Sequence, residues 1–194
     1  YLNRVSSLFS RENLRVGGLP KERASQSDGL ALTPISTQAQ VKVMFVVEAY
    51  DAALQNSEVF AYLRALMSDP RIALFVKLRP GQETAPFVGI FGPPSSQATI
   101  LKGPIDPYFA EMDVVVGSWG TAVVDVIYHR RPLVLFTTSQ YDDPLGLTDL
   151  GIAAKAREPK EIVAAVLAAA QTSTDALARY KELVWGTQDV DVSE

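Results

Sequence analysis

The chain has 194 residues, 47% of them hydrophobic and 21% charged, with a formal net charge of −4; this is the make-up of a soluble globular protein with enough chain for a full hydrophobic core, as one domain or one with a small appendage. The acidic balance speaks against a general nucleic-acid binder or a partner of acidic membranes. The lack of cysteine and the single histidine, His129, exclude disulfides, thiolate catalysis, zinc–cysteine sites and a histidine-rich metal centre, and leave the redox compartment open.

No run of about 18 apolar residues occurs, and the first residues are mixed and polar, without the apolar core of a secretion signal. No membrane span and a cytoplasmic location are therefore expected. The chain begins with Tyr1 rather than Met, as a processed chain or an excised domain would.

In chain order, residues 1–11 read as a short helix with Leu2, Val5, Leu8 and Phe9 on one side. Residues 14–16 read as a short strand. Gly17, Gly18, Leu19 and Pro20 follow, either as an ordinary turn or as one where backbone comes close to a ligand. Residues 24–40 are polar with Gly and Pro, the composition of a linker. Residues 41–47 are apolar at nearly every position, as in a strand buried on both faces. Residues 58–67 form an amphipathic helix, with Val59, Leu63, Leu66 and Met67 on one stripe and Ser57 as N-cap. Asp69-Pro70 ends it, and residues 72–78 are the next strand. Residues 87–91 are readable as a strand between prolines, and residues 99–103 as another. Asp106 reads as an N-cap with Pro107 at the first helical position, opening a helix through Phe109 and Met112.

Residues 113–136 read as strand, turn, helix and strand. Residues 113–116 are the first strand, residues 121–128 the helix, and residues 133–136 the second strand. His129, Arg130, Arg131 and Pro132 stop the helix between them. Residues 137–150 are a loop, residues 151–154 an edge strand, and residues 160–171 an Ala-rich helix behind Pro159. Residues 174–185 are a last helix, capped by Thr172, Ser173 or Thr174, and residues 190–194 a frayed tail. No internal repeat is present. The alternation predicts an α/β, three-layer Rossmann-like domain with a mostly parallel sheet. Its boundaries are an N-terminal segment and linker at 1–40, the domain with its C-terminal helices at 41–186, and a tail at 187–194.

A parallel sheet binds ligands outside the C-terminal ends of its strands. Those ends are the loops after Val47, Leu78, Gly103, Val116 and Phe136. The loop after Val116 has the most suitable chemistry, because the start of the helix behind it offers backbone N–H groups and a dipole to a phosphate or carboxylate. Gly117 and Gly120 allow close approach, and Ser118 and Thr121 supply hydroxyls as donors or an N-cap. Trp119 stacks on a ligand or packs. Asp125 is four residues past Thr121, on the same helix face. Lys77 and Arg79, at a strand end facing the same crevice, serve as solvated cations or as phosphate contacts, Arg79 by a bidentate fork. His129, Arg130 and Arg131 suit a helix C-terminus. Asp142, Asp143 and Pro144 form a turn or touch a sugar or metal. Neither a dinucleotide fingerprint nor a P-loop is present.

The run from Ile100 to Phe109, then Asp113-Val114-Val115-Val116-Gly117-Ser118, a helix, and Arg131-Pro132-Leu133-Val134 resembles the C-terminal domain of GT-B-fold glycosyltransferases. It is similar in particular to CDP-glycerol glycerophosphotransferase-like and bacterial surface-polysaccharide enzymes. Those carry an acidic residue where Asp125 stands and Lys-Pro where Arg131-Pro132 stands. Residues 14–20 resemble the strand and Gly-Pro turn that open the domain, and Val76-Lys77-Leu78-Arg79-Pro80 a strand that ends in His-Pro. Arg79 departs from that histidine, which leaves any acid–base role there without its residue. The resemblance runs from residue 14 to the last helix.

The resemblance implies a nucleotide-diphosphate donor, carrying a sugar or a polyol, as substrate, with no firmly bound cofactor and no metal. The phosphates would lie on Gly117, Ser118, Trp119, Gly120 and Thr121, with Lys77, Arg79 and Gly18 nearby. The ribose would lie on Asp125, and the base on Gly103 and Ile105. It also implies a partner, an N-terminal acceptor domain in cis or on another chain, without which turnover is poor. A nucleotide-sugar epimerase-like domain is the alternative enzyme, with Glu48, Asp51, Asp142 and Asp143 as its carboxylates. A non-catalytic interaction module on the same fold is the third reading.

Overall fold

The computed structural model describes residues 40–47, 57–79, 81–82, 87, 98–118, 120–139 and 142–185. The expected elements within 1–39, the tail at 187–194, Gly18, Glu48, Asp51 and Trp119 lie outside the described residues.

Among the described residues six strands form one sheet, β1 (Val41–Val46), β2 (Ile72–Lys77), β3 (Ala98–Leu101), β4 (Val114–Gly117), β5 (Leu133–Phe136) and β6 (Ala153–Ala156). Their order is β3-β2-β1-β4-β5-β6 and every pairing is parallel. The helices are α1 (Ser57–Met67), α2 (Asp106–Phe109), α3 (Thr121–Tyr128), α4 (Ile162–Ala169) and α5 (Thr174–Trp185).

Parallel neighbours need crossovers, and right-handed crossovers running in opposite directions from the middle of the sheet place helices on opposite faces. Val59, Tyr62, Leu63 and Leu66 of α1 share one core with Ile162, Val166 and Ala169 of α4, against Val43, Phe45 and Phe136 of the sheet. Val123, Val126 and Ile127 of α3 form a second core with Phe109, against Met44, Val46, Val115 and Leu135. The alternate residues of β1 thus feed both cores, which is why its sequence is a continuous apolar run. The expected α/β three-layer fold is the observed one, with all the described strands parallel.

Several boundaries differ from expectation. α1 opens at Ser57 rather than at Glu58, a shift of one position such as helix ends commonly show. The strand expected to open at Asp113 opens at Val114. Asp113 instead joins β4 to β1, its Oδ2 accepting the Lys42 N–H at 2.8 Å. Of the strand expected at 87–91, residues 88–91 lie outside the described residues; Phe87 has helical backbone, is buried and sits edge-on to Phe60, with centroids 5.8 Å apart. The helix at Asp106 is a single turn, preceded by Ile105 without a side-chain cap. Pro107 fits there because the first turn leaves its missing N–H without consequence. The edge strand begins at Ala153 and not at residue 151, since Gly151 turns at φ 69° and the Leu147 carbonyl takes the Ile152 N–H. A 3-10 turn, Pro159–Glu161, opens α4, with Glu158 and Glu161 closing a capping box. Ser173 is the cap of α5, its Oγ accepting the Ala176 N–H at 3.2 Å.

The turn from α1 into β2 carries a pH-dependent contribution. Asp69 accepts Arg71 Nε at 2.9 Å, Nη2 at 2.7 Å and its backbone N–H at 2.9 Å. The side-chain bonds first, then the backbone bond, hold its pKa at about 2, below the ordinary 3.8. The folded value is the lower one. The stability gain is therefore full above the unfolded value and is lost as pH falls through the folded one. Asp69→Asn is expected to be less stable than the parent at neutral pH by a small amount, the pair being solvent-screened. The gap in urea midpoint should close as the pH is lowered toward about 2; parallel curves would sink the assignment.

Candidate functional site

The strand order reverses between β1 and β4, and in open α/β sheets ligands bind in the crevice at that point, outside the strand C-terminal ends. The residues after β4 stand there. Gly117 is buried, and a Cβ on it would meet Val123 Cγ2 at 3.3 Å. The strand end thus lies tight under the first turn of α3, and a side chain at 117 would force Val123 to give by a few tenths of an ångström. Ser118 is fully buried, so its hydroxyl is not presented to solvent.

Gly120 is the N-cap of α3, at φ 149° and ψ 174°. The cap is therefore neither Ser118 nor Thr121. A glycine is required because an L side chain is strained at that φ. It also brings no side chain to the helix start, and α3 has no side-chain cap. Orphan N–H groups there must find other partners, which is what makes such a terminus suited to an anion. Thr121 is exposed, and Asp125 follows one turn later, partly buried.

Among the described residues, Gly103, Ile105, Lys77 and Arg79 lie along the same C-terminal edge. Neighbouring strands are about 4.8 Å apart, so the end of β3 stands about 14 Å from the end of β4. Gly103 follows β3 at φ 79°, with nothing within 4 Å of a would-be Cβ. Ile105 packs partly on the second core, and the Tyr108 hydroxyl braces the loop by donating to the Lys102 carbonyl at 2.6 Å.

Lys77 closes β2 and is only 6% exposed. It is not a solvated strand-end cation. Its Nζ donates to the Leu78 carbonyl at 2.6 Å, and burial alone pushes its pKa down. Arg79 is exposed on the turn after β2, its N–H bonded to Gln82 Oε1 at 2.9 Å.

His129, Arg130 and Arg131 lie at the other end of the sheet. The His129 N–H closes α3 onto the Asp125 carbonyl at 3.0 Å. Its ring stacks on Phe109 at 4.6 Å, with Nε2 3.5 Å from Asp106. Arg131 donates to the Ala110 carbonyl at 3.2 Å, and its Nε is buried without a partner among the described residues. Burial lowers its pKa, with Asp113 opposing.

Asp142 and Asp143 both have partners within the fold, although Asp143 Oδ1 is buried without one among the described residues. Asp142 pairs with Lys155. Asp143 Oδ2 accepts the Thr148 N–H at 2.6 Å and its hydroxyl at 2.8 Å. Burial pulls the Asp143 pKa up, but these bonds, the Leu147 N–H and Lys155 together hold it below the ordinary range. The turn is what the residues build. Among the described residues no group of three or more His, Cys, Asp or Glu is placed to hold a metal ion, and no helix is long and apolar enough to cross a membrane.

A cavity of about 490 Å³ opens elsewhere on this edge, at the ends of β5 and β6, beside Glu58, Tyr62, Thr137, Ser139 and Arg157. Sequence pattern gives no sign of it, because its parts are about 100 residues apart and each belongs to an ordinary turn or helix start.

No protein-family model and no curated protein matches the chain. Solved structures do. The glycosyltransferase SnogD from Streptomyces nogalater aligns at 16% identity and a TM-score of 0.59, over 91% of this chain and 48% of that one. The glycotransferase of kitacinnamycin aligns at 19% identity and a TM-score of 0.57, over 85% of this chain and 43% of that one. The spinosyn rhamnosyltransferase SpnG, solved in complex with thymidine diphosphate, aligns at 13% identity and a TM-score of 0.57, over 76% and 42%. The chain thus spans less than half the length of these glycosyltransferases, and it shares the α/β fold of that part of them.

Proposed function

We propose that residues 41–186 form the nucleotide-donor-binding half of a glycosyltransferase, with residues 1–40 a leading segment and linker and residues 187–194 a tail. The observation that carries this is the uncapped start of α3 behind Gly117 and Gly120, at the point where the strand order reverses. The fold shared with glycosyltransferases, one of them solved with thymidine diphosphate, supports it.

In this reading the diphosphate lies on the N–H groups of the Gly120–Thr121 turn, with Ser118 behind it; Gly18 and Trp119, outside the described residues, are assigned to the donor by the sequence resemblance alone. Asp125 accepts hydrogen bonds from the ribose hydroxyls. Gly103 and Ile105 hold the base through backbone groups. Lys77 and Arg79 add positive charge between base and phosphates. The chain's part in transfer is electrostatic: preorganised donors stabilise the departing nucleotide diphosphate. The acceptor and any catalytic base come from an N-terminal domain in cis or from a partner chain, so the domain alone binds but turns over poorly. The transferred group is a sugar or, on the finer resemblance, glycerol phosphate, in making surface polysaccharide or glycoconjugate. An epimerase-like reading is weakened, because two of its four carboxylates, Asp142 and Asp143, are spent on Lys155 and Thr148.

Calorimetric titration with UDP, TDP, CDP and GDP tests the proposal. One nucleotide is expected to bind, and Asp125→Ala to weaken it about tenfold, the worth of a charge-assisted hydrogen bond. No binding at millimolar concentration of any of the four would overturn it.

A further inference from the structure

We propose that the cavity at the ends of β5 and β6 is a second ligand site, separate from the start of α3, and that it takes a sugar bearing a carboxylate, such as a uronic acid. The site does not rest on the nucleotide reading. It lies under the first turn of α1, in the layer that packs on the opposite sheet face from α3.

Its walls are cross-linked. Glu58 and Tyr62, one turn apart on α1, both reach the loop after β5. Glu58 Oε2 accepts the Ser139 N–H at 2.7 Å. The Tyr62 hydroxyl donates to the Thr137 carbonyl at 2.9 Å, with the Ala156 carbonyl at 3.3 Å. Thr137 in turn holds the end of β6, its N–H on the Ala156 carbonyl at 3.1 Å and its Oγ1 donating to the Arg157 carbonyl at 3.3 Å. The Arg157 N–H is bound to Glu161 Oε2 at 2.7 Å. Three distant segments are thus locked around a space of about 490 Å³, within the range of small-ligand sites.

The lining then selects the ligand. Arg157 is exposed at the rim, and among the described residues no carboxylate pairs with its guanidinium, since Glu161 is spent on the backbone of 157 and 158. A planar guanidinium takes a carboxylate bidentately. Thr137, Thr138, Ser139 and Glu58 present the oxygen-rich surface that suits ring hydroxyls. A monoanion fits better than a phosphate dianion. Glu58 lines the space and Glu161 stands beside Arg157, so a second negative charge on the ligand meets carboxylates rather than a further cation. Arg157 compensates one charge, not two.

NMR titration of the full chain with methyl glucuronide, methyl glucoside and glucose 6-phosphate tests this. Methyl glucuronide is expected to shift the amides of Thr137, Thr138, Ser139 and Arg157 saturably, and to bind tighter than the other two. Arg157→Gln should weaken it about tenfold and leave methyl glucoside unchanged, with Arg157→Lys in between. Asp125→Ala should leave it unaffected, which separates this site from the nucleotide one. Equal binding of uronide and glucoside, tighter binding of the phosphate, no effect of Arg157→Gln, or no binding at all would overturn the proposal.

Discussion

Replacing Phe136 by alanine is expected to lower folding stability by about 3–5 kcal/mol, the range for removing a large buried aromatic ring. Phe136 is fully buried at the C-terminal end of β5. Its ring stacks on Phe45 with centroids 5.0 Å apart and planes at 20°, and Tyr62 leans on it at 5.0 Å and 39°. Such ring pairs add about 0.5–1.5 kcal/mol to burial alone. The three rings join β1, β5 and α1, elements far apart in sequence, so local collapse cannot easily fill the space. Urea or thermal denaturation measures the loss. Leu183→Ala on α5 is the comparison, because Leu183 is 69% exposed and surface changes stay within about 0.5 kcal/mol. Similar losses for both variants would show that this ring cluster is not the centre of the core.

Gly120→Val is expected to have two separable effects. The first is a stability loss of about 1–3 kcal/mol, because a β-branched residue is held at φ 149° where L side chains are strained. The second is loss of nucleotide binding on the proposed function, since a side chain would stand where the phosphates approach the backbone. Ligand at 100 times its dissociation constant stabilises a binding protein by about 2.7 kcal/mol. Saturating nucleotide should therefore raise the melting temperature of the parent and leave that of Gly120→Val in place. A variant that is destabilised yet still gains the full ligand shift would show that the phosphates lie elsewhere, while the backbone argument would stand.

Most of the fold was legible in the sequence. The helix at α3 and the strand at β5 have the bounds that residue pattern predicts. Their signals are strong because an apolar run ends at a glycine-rich turn and a helix ends at a basic stretch before proline. Weaker signals shifted. The single turn at Asp106 looked longer because Met112 extends the apolar spacing, although it packs from beyond the helix. The edge strand slid by two residues because a carbonyl from the preceding turn captured its first N–H.

The candidate site was legible only in part. Gly117, Gly120 and Thr121 could be picked out because glycine and hydroxyl residues before a helix report local backbone chemistry. Lys77 could not be judged, since its exposure depends on neighbouring strands and on side chains packed over them. Asp142 and Asp143 looked available as carboxylates until Lys155 and Thr148 were seen to occupy them.

The sequence by itself determined the class of the fold, the alternation of strands and helices, and the glycine-lined helix start, because these follow from side-chain period and local backbone freedom. Only the tertiary structure decided the strand order, which puts that helix start at the reversal beside β1, and the meeting of residues 58, 62, 137, 139 and 157 around one cavity. Strand pairing and cavity walls are contacts between segments distant along the chain, and no local pattern encodes which distant segments will meet.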